Sequence, residues 1–255
     1  MSSFFDVHLV TEQWARTKKL NLFSAATVKS TNDWAKEQIQ SSLTKKEGQI
    51  LPAVCLFVAG HQTHGRGRGS NTWVDAKTGV ALLSSWVFHL KNPPSSVTAP
   101  RAGLALARAA HASFPKLHLS LKAPNDLYCG NRKLAGLLLE NIQQGNENWL
   151  VVGLGLNVWE SPSIHGKFQA TSLQESSLSE LTPVIWQSFL ERLLGELGQF
   201  QKVVERSESA VLETQERQEL LHFLNQNPNL QSPYTEISAQ GDLFSATGQI
   251  PWTEL

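Results

Sequence analysis

The sequence predicts an α+β fold in which helices flank a mixed, largely antiparallel central sheet, with a short C-terminal β appendage over residues 234–255. Apolar β-rich runs and helical stretches follow one another without strict βαβ alternation. Residues 131–142 and 148–159 have the pattern of two strands joined by a polar turn, as in an antiparallel hairpin. Residues 182–200 carry apolar side chains at helical spacing, which predicts an amphipathic helix.

The elements before the hairpin can be justified in order. An irregular entry precedes an apolar run that begins at residue 20. The polar residues 30–33 then favour a helix N-cap, and the helical pattern continues to about residue 43. Residues 50–60 are β-rich and apolar on both faces, which is typical of a buried central strand. That strand leads directly into a polar segment, residues 60–73, that is rich in glycine and arginine.

The later elements follow from the same rules. Residues 117–128 alternate apolar and polar side chains, so they predict a strand that must stop at Pro124. The remaining predictions are a strand over 79–90, an Ala-rich helix over 101–114 and a more polar helix over 210–224. The chain is therefore expected to form a main domain over 1–205, with a helical segment and a reduced β appendage over 206–255.

Composition limits the classes of function. The 255 residues are 41% hydrophobic and 17% charged, enough to bury a core. Lys+Arg and Asp+Glu both total 22, so a bound anion needs a local site, and neither DNA nor a membrane is expected as a partner. Cys55 and Cys129 suit two buried thiols in a reducing cytoplasm. His61 and His64 lack a plausible third ligand, so no metal site is assigned to protein side chains.

The Gly/Arg segment has the residue types of an anion-binding loop. Gly65, Gly67 and Gly69 permit close backbone approach, so successive N–H groups could point at one anion. Arg66 and Arg68 could add charge-assisted donors. They lack an obvious local acidic partner, which predicts a loop that becomes ordered when an anion binds. The alternative is an ordinary solvated surface loop, which the pattern alone favours about equally.

Five motifs in order resemble the biotin protein ligases. They are STN at residues 30–32, QTHGRGRGSNTW at 62–73, KAPND at 122–126, KLAGLLLE at 133–140 and GLGLNV at 153–158. The loop resembles the eukaryotic holocarboxylase synthetase form, GRGRGxNxW. Gly69 and Asn71 stand where many bacterial ligases have arginines, which could alter how the triphosphate of ATP is held. Ala123 replaces the usual Trp of KWPND, which could alter packing under the site.

This resemblance implies a class II synthetase-like biotin/lipoate ligase core and a two-step reaction. Biotin and MgATP would give biotinyl-5′-AMP and pyrophosphate, and a lysine of a biotin carboxyl carrier protein would then attack the mixed anhydride. The first step brings a carboxylate to an anionic α-phosphate, so it needs fixed positive charge. The resemblance assigns this role to Arg66, Arg68 and Lys133, and it makes Asp126 a base or orienter for the incoming amine.

The resemblance also implies the substrate-binding residues. Those expected to bind biotin are Ser30, Thr31, Asn32, Gln62, Gly65, Arg66, Gly67, Arg68, Lys133 and Gly136. Those expected near ATP or Mg²⁺ are Arg68, Lys122, Asn125 and Asn157. Taken singly, several have plainer interpretations, since Ser30 or Thr31 could cap a helix and Asn125–Asp126 could form an ordinary turn.

Three alternative functions remain open from the sequence. A lipoate or octanoate ligase would share the scaffold and the KLAG lysine, but it should lack the GRGRGxNxW loop. A DNA-binding repressor would need a further domain, and about 23 residues before the core are too few for one. A non-catalytic biotin-binding protein is the third alternative, because of Ala123 and the short C-terminal appendage. The chain is expected to be a monomer or a weak homodimer.

Overall fold

A computed structural model of the chain describes residues 4–44, 51–163, 169–177, 180–206 and 210–252. In chain order, the helices and strands are α1 Val7–Thr17, β1 Asn21–Val28, α2 Thr31–Thr44, β2 Val54–Gln62, β3 Ala81–Leu90, α3 Thr98–Ser113, β4 Leu119–Lys122, β5 Asp126–Cys129, β6 Arg132–Gln144, β7 Glu147–Asn157, α4 Leu173–Ser176, α5 Pro183–Val204, α6 Thr214–Asn225, β8 Tyr234–Ile237, β9 Leu243–Ser245 and β10 Gly248–Ile250. In these ranges, no helix is long and apolar enough to cross a membrane.

The strands confirm a mixed, largely antiparallel sheet. Seven strands form it in the order β1-β2-β3-β7-β6-β5-β4. β1 pairs with β2 in parallel, whereas β2 with β3, β3 with β7, and β4 with β5 are antiparallel. The predicted hairpin is formed by β6 and β7, and its turn contains Gly145 with a φ of 60°.

The chain divides into two compact units that interleave along the sequence. Unit 1 comprises Met1–Pro93, Gly136–Ser163 and Thr171–Gln187, and unit 2 comprises Pro94–Ala135, Ile164–Ala170 and Ser188–Leu255. β6 and α5 each begin in one unit and end in the other. A main domain over 1–205 with an appendage over 206–255 stays a prediction.

In unit 1, α2 packs on the sheet through a fully buried apolar cluster. Ala35 and Ile39 of α2 meet side chains of strands β2, β3 and β7, namely Cys55, Phe57, Val87, Trp149 and Val151. Such a cluster removes apolar surface from water at about 25 cal/mol per Å². It fixes the N-terminus of α2 against the strands, and that end of the helix carries the STN motif.

The prediction of an irregular entry before residue 20 was wrong, because residues 7–17 form α1. Asp6 caps this helix by accepting a hydrogen bond from the Leu9 amide at 3.0 Å. Its buried face includes His8 and Thr11 as well as Trp14. Two polar residues on the inner face hide the apolar periodicity, and for that reason the helix is difficult to recognise in the sequence.

The C-terminal appendage is larger than the hairpin that the sequence predicts. β8, β9 and β10 form a three-stranded antiparallel sheet in unit 2. Residues 248–250 form the additional strand, and Gly248, with a φ of 126°, starts it. Three-residue strands are too short for period-2 alternation to be recognised, which explains the underestimate.

Candidate active site

Buried polar groups gather where β1 leads into α2 in unit 1. Thr31 donates from both its backbone amide and its hydroxyl to Gln62 Oε1, at 2.7 and 3.2 Å. The Ser85 hydroxyl of β3 lies 2.8 Å from Thr31 Oγ1 and 2.5 Å from Asn32 Oδ1. We call Thr31, Asn32, Gln62 and Ser85 the α2 polar cluster. The structure thus brings together Thr31, Asn32 and Gln62, the three members of this cluster that were predicted to bind biotin.

Ser30 has a different local role from the α2 polar cluster. Its side chain is buried, and its Oγ lies 3.4 Å from the Asp33 amide, which is a long N-cap contact to α2. The capping interpretation of Ser30 therefore has structural support. Its predicted contact with biotin stays a prediction.

Gly153 of β7 leaves the room that Asn32 occupies. A Cβ built on Gly153 would lie 2.3 Å from Asn32 Oδ1, closer than real atoms approach. A side chain at this position would therefore displace Asn32. This requirement explains the first glycine of GLGLNV.

Arg66 forms ion pairs with two carboxylates, both of which lie far from it in the sequence. Its Nη1 lies 2.6 Å from Asp33 Oδ1 and 3.0 Å from Glu140 Oε1. Asp33 follows the STN motif. Glu140 is the last residue of the KLAGLLLE motif and lies 74 residues from Arg66 in the sequence. Nothing in the local sequence indicates contacts over these separations, so the ion pairs of Arg66 with Asp33 and Glu140 could not be predicted.

Glu140 joins the arginine to the α2 polar cluster. Asn32 Nδ2 and Lys36 Nζ both donate to its carboxylate, each at 2.9 Å. Burial alone would raise the pKa of Glu140, but the hydrogen bonds from Lys36 and Asn32 and the charge of Arg66 outweigh it and lower the pKa. We call Asn32, Asp33, Lys36, Arg66 and Glu140 the Glu140 network.

The Gly/Arg loop folds as a small hairpin in unit 1. Arg66 and Thr72 form an antiparallel bridge, Gly67 N donates to Asn71 O at 2.9 Å, and Trp73 N donates to Gly65 O at 3.0 Å. Gly69 turns the chain with a φ of 62°. The amide of Gly67 is therefore hydrogen-bonded within the loop, and the expected contact of the loop with an anion stays a prediction. Arg68 is exposed near the turn.

Trp73 ends this hairpin against strand β7. A Cβ on Gly155 would lie 2.4 Å from Trp73 Cε2, so the indole rests directly on the glycine. A Cβ on Gly65 would lie 2.3 Å from the Trp73 carbonyl oxygen. The glycines at 65 and 155 are thus required by close packing around one tryptophan.

Unit 2 holds the other predicted catalytic residues. Lys133 Nζ lies 2.7 Å from Asp126 Oδ1, and their side chains are 31% and 17% exposed. Lys122 pairs with Asp126 across the β4–β5 hairpin, and its Nζ lies 5.7 Å from the centre of the Tyr128 ring. Burial and the charge of Asp126 raise the pKa of Tyr128 to about 12. The structure therefore brings Lys122, Asp126 and Lys133 together, with Asn125 in the turn that precedes Asp126.

Asn157 ends β7 in unit 1 and is 2% exposed. Its Nδ2 donates to Thr171 O at 3.0 Å, while its Oδ1 is buried without a hydrogen-bond partner among the described residues. A buried acceptor of this kind is suited to a water or a hard cation. Gly136 lies on β6 in the same unit. Within the described ranges, no group of three His, Cys, Asp or Glu side chains could hold a metal.

Comparison with known proteins assigns the family. The sequence profile of the biotin/lipoate A/B protein ligase family matches residues 24–157, which is more than half of the 255-residue chain. The chain belongs to this family. All five motifs begin within the matched range, as the sequence analysis anticipated.

Curated relatives of this ligase-family chain match over part of their length. It is 34% identical over 111 residues to biotin–[acetyl-CoA-carboxylase] ligase of Mycobacterium tuberculosis, covering 42% of this chain and 40% of the relative. It is 27% identical over 140 residues to human biotin–protein ligase, covering 51% of this chain and 19% of the relative. The chain thus matches less than half the length of both proteins.

Solved structures confirm the fold of the ligase core. Biotin protein ligase from Aquifex aeolicus in complex with biotin and ATP superposes with a TM-score of 0.61 at 22% identity, over 90% of this chain and 94% of that one. The Leishmania major biotin protein ligase in complex with biotin superposes with a TM-score of 0.59 at 18% identity, over 89% of this chain and 96% of that one. A biotin protein ligase-like protein of unknown function from Silicibacter superposes with a TM-score of 0.58 at 14% identity, over 92% of this chain and 95% of that one.

Proposed function

We propose that this chain is a biotin protein ligase that activates biotin with ATP and transfers it to a lysine of a biotin carboxyl carrier protein. The observation that carries the proposal is the Glu140 network. It connects Asn32, whose amide hydrogens donate to Leu138 O and Glu140, with Arg66, a cation suited to a carboxylate or phosphate. One network of hydrogen bonds thereby orders the α2 polar cluster, proposed for the ureido ring of biotin, together with a cation proposed for an anionic group.

In the first step, a carboxylate oxygen of biotin attacks the α-phosphorus of ATP. The bond from this phosphorus to the bridging oxygen breaks, and pyrophosphate leaves with the electron pair. The KLAG and GRGR motifs resemble those of the biotin protein ligases, and this resemblance assigns to Lys133 and to Arg66 the stabilisation of the negative charge in this step. Arg68 adds a further exposed cation on the loop of Arg66. Lys122 ends β4, and Asn125 lies in the turn before Asp126.

In the second step, the amine of the carrier lysine attacks the anhydride carbonyl, and AMP leaves. The attacking nitrogen must lose a proton, and Asp126, which lies beside Lys133, is the carboxylate proposed to accept or orient it. Because Lys133 lies 2.7 Å from Asp126, the residue proposed for adenylation and the one proposed for transfer are directly coupled.

Mg²⁺ would be held mainly by phosphate oxygens, with Asn157 Oδ1 proposed as a protein ligand because it is a buried acceptor without a hydrogen-bond partner among the described residues. When bound, the ion would neutralise charge on the triphosphate. The protein is proposed to act in the cytoplasm as a monomer or weak homodimer, without binding DNA. The balanced charge of 22 acidic and 22 basic residues supports the absence of a nucleic-acid partner.

The decisive experiment is to incubate the purified chain with biotin, MgATP and a carrier domain, and to measure the mass of the carrier. Addition of one biotin to the native carrier, and none to a carrier whose acceptor lysine is changed to arginine, is expected. A parallel reaction with lipoate tests the other substrate that the family description names, and one with octanoate tests a related acyl substrate. Modification by lipoate alone would replace the biotin assignment, and adenylate without transfer would indicate a protein that only activates biotin.

A further inference from the structure

The segment of unit 2 that follows α6 contacts the β4–β5 hairpin at three separate points. Trp252 Nε1 donates to Pro124 O at 2.9 Å, Asn229 Nδ2 donates to Asn131 O at 3.1 Å, and Asn227 Nδ2 donates to Leu121 O at 3.4 Å. Trp252 is 4% exposed and Asn227 is 6% exposed. We call these three side chains the hairpin clamp.

All three donors of the hairpin clamp bind backbone carbonyls. Leu121 lies in β4, Pro124 lies in the turn, and Asn131 follows β5. Contacts to carbonyls restrain the path of the chain independently of the side chains that it carries. The clamp therefore restrains both strands of the hairpin and the turn between them.

The turn that Trp252 contacts leads directly into Asp126. Asp126 is the first residue of β5, two positions after Pro124, and its carboxylate pairs with Lys133 at 2.7 Å. A shift of the Pro124 carbonyl is transmitted to Asp126 through two peptide bonds. Displacement of a reacting group by about 1 Å can cost ~100-fold in rate, so a restraint at this point has a kinetic consequence.

We propose that Trp252 is a positioning residue that holds Asp126 in register with Lys133 through the Pro124 carbonyl. The inference rests on the proposed function for its kinetic consequence, although its geometric consequence can be tested without substrates. Trp252 does not have to contact substrate. It acts by restraining the turn, while Asn227 restrains β4 next to the turn and Asn229 restrains the chain just after β5.

The test compares Trp252→Phe with Trp159→Phe. Both changes remove an indole N–H that donates to a backbone carbonyl, since Trp159 donates to Phe5 O at 2.8 Å and is 7% exposed. Trp159 belongs to unit 1, so its loss leaves the hairpin clamp intact. Asp126→Asn serves as the reference for a broken Asp126–Lys133 ion pair.

The geometric measurements are amide hydrogen exchange over residues 121–131 and the rate at which a soluble acylating reagent labels Lys133. We expect Trp252→Phe to accelerate both several-fold, as Asp126→Asn accelerates the labelling, while Trp159→Phe changes neither. Unchanged exchange and labelling in Trp252→Phe overturn the inference. These measurements remain decisive if the wild-type chain proves unable to adenylate biotin, an outcome that would defeat the proposed function alone.

The kinetic measurement is a double-mutant cycle on the rate of biotin transfer. Trp252→Phe alone is expected to slow transfer about tenfold with an unchanged KM for biotin, and to add little in the Asp126→Asn background. Equal slowing in both backgrounds would indicate a general structural role and reject positioning. Should Trp252→Phe fail to fold, Asn229→Ala, which removes an exposed donor of the same clamp, must show a smaller effect in the same direction.

Discussion

Glu140 is the residue through which the site in unit 1 is connected, because its carboxylate contacts Asn32, Lys36 and Arg66. We predict that Glu140→Gln destabilises the protein by about 1 kcal/mol at neutral pH, because the hydrogen bonds to the Glu140 carboxylate lose their charge. The loss is limited because the Arg66–Glu140 ion pair is partly exposed to solvent. Hydrogen exchange over residues 65–73 should rise. Chemical denaturation measures the first effect, and unchanged stability with unchanged exchange would contradict the prediction.

The same variant has a defined pH dependence. The folded pKa of Glu140 lies below its ordinary value of 4.5, so folding favours the ionised form. The stabilisation is therefore complete above the unfolded value and is lost as the pH falls through the folded one. The difference in stability between wild type and Glu140→Gln should narrow on acidification. If the stability difference between wild type and Glu140→Gln widened below pH 4.5, the prediction would be contradicted.

Lys133 offers a direct test of the adenylation step. Lys133→Gln keeps most of the side-chain length but removes the charge. We predict that adenylation slows about 100- to 1,000-fold, the usual cost of losing one charged contact to a transition state. Biotin binding should weaken less, because its ring is proposed to bind other residues, those of the α2 polar cluster. Single-turnover pyrophosphate release measures the rate.

Lys77→Gln is the matched control for Lys133→Gln. Lys77 also forms a lysine–carboxylate pair, with Glu160 at 2.8 Å, but its side chain is 67% exposed and has no proposed role. Its substitution should leave adenylation unchanged. A Lys133→Gln protein that released pyrophosphate as fast as this control would remove Lys133 from the mechanism.

At the scale of elements, β7 and the Gly/Arg loop are matched to one another. Gly155→Ala would place a Cβ 2.4 Å from Trp73 Cε2, so the indole must move. We predict a loss of about 1–3 kcal/mol, as for other overpacked sites, and faster exchange over residues 65–73. Gly198→Ala in α5 is the control, since its Cβ meets no atom within 4 Å, and it should stabilise the protein by about 0.5–1 kcal/mol. Equal effects of the two changes would exclude the packing argument.

The sequence predicts elements well where one period dominates and poorly where it does not. The strand over 50–60 and the helix over 182–200 correspond to β2 and α5, because long apolar patterns leave few alternatives. α1 was missed because His8 and Thr11 occupy its inner face. Asp6 was the available signal, since it is an N-cap residue type immediately before the helix.

At the scale of the whole molecule, the helix over 214–225 acquires a role that its polar sequence did not suggest. Glu216 of α6 forms a paired contact with Arg101 of α3, at 2.8 and 3.0 Å, and the Arg101 side chain is 4% exposed. Arg101 also donates to the Val211 carbonyl. In unit 2, α6 is thus fixed to α3 by a buried ion pair.

We predict that Arg101→Met costs about 3–5 kcal/mol, because it leaves the Glu216 carboxylate without its partner in a buried position. Arg108→Met should cost at most about 1 kcal/mol, since Arg108 is 34% exposed although it pairs with Glu219 at 2.6 Å. Urea denaturation of both variants measures the difference. Equal losses would show that burial does not determine the strength of these pairs.

For the site as a whole, sequence motifs located residues but not their connections. The five motifs supply the predicted residues, and the structure brings Thr31, Asn32 and Gln62 together in one unit and Lys122, Asp126 and Lys133 together in the other. Ser85, the role of Glu140 and the hairpin clamp could not be predicted. Their contacts join residues 53 to 128 positions apart, and a single sequence carries no signal for such pairs.

The Glu140 network has a consequence for the ionic-strength dependence of ligand binding. Arg66 already has two carboxylate partners, so an arriving anion exchanges one ion pair for another. Added salt weakens the original pairs as well as the new one, and the two effects oppose each other. Affinity for an anionic ligand at Arg66 should therefore change less with salt than the charge of the ligand alone would suggest.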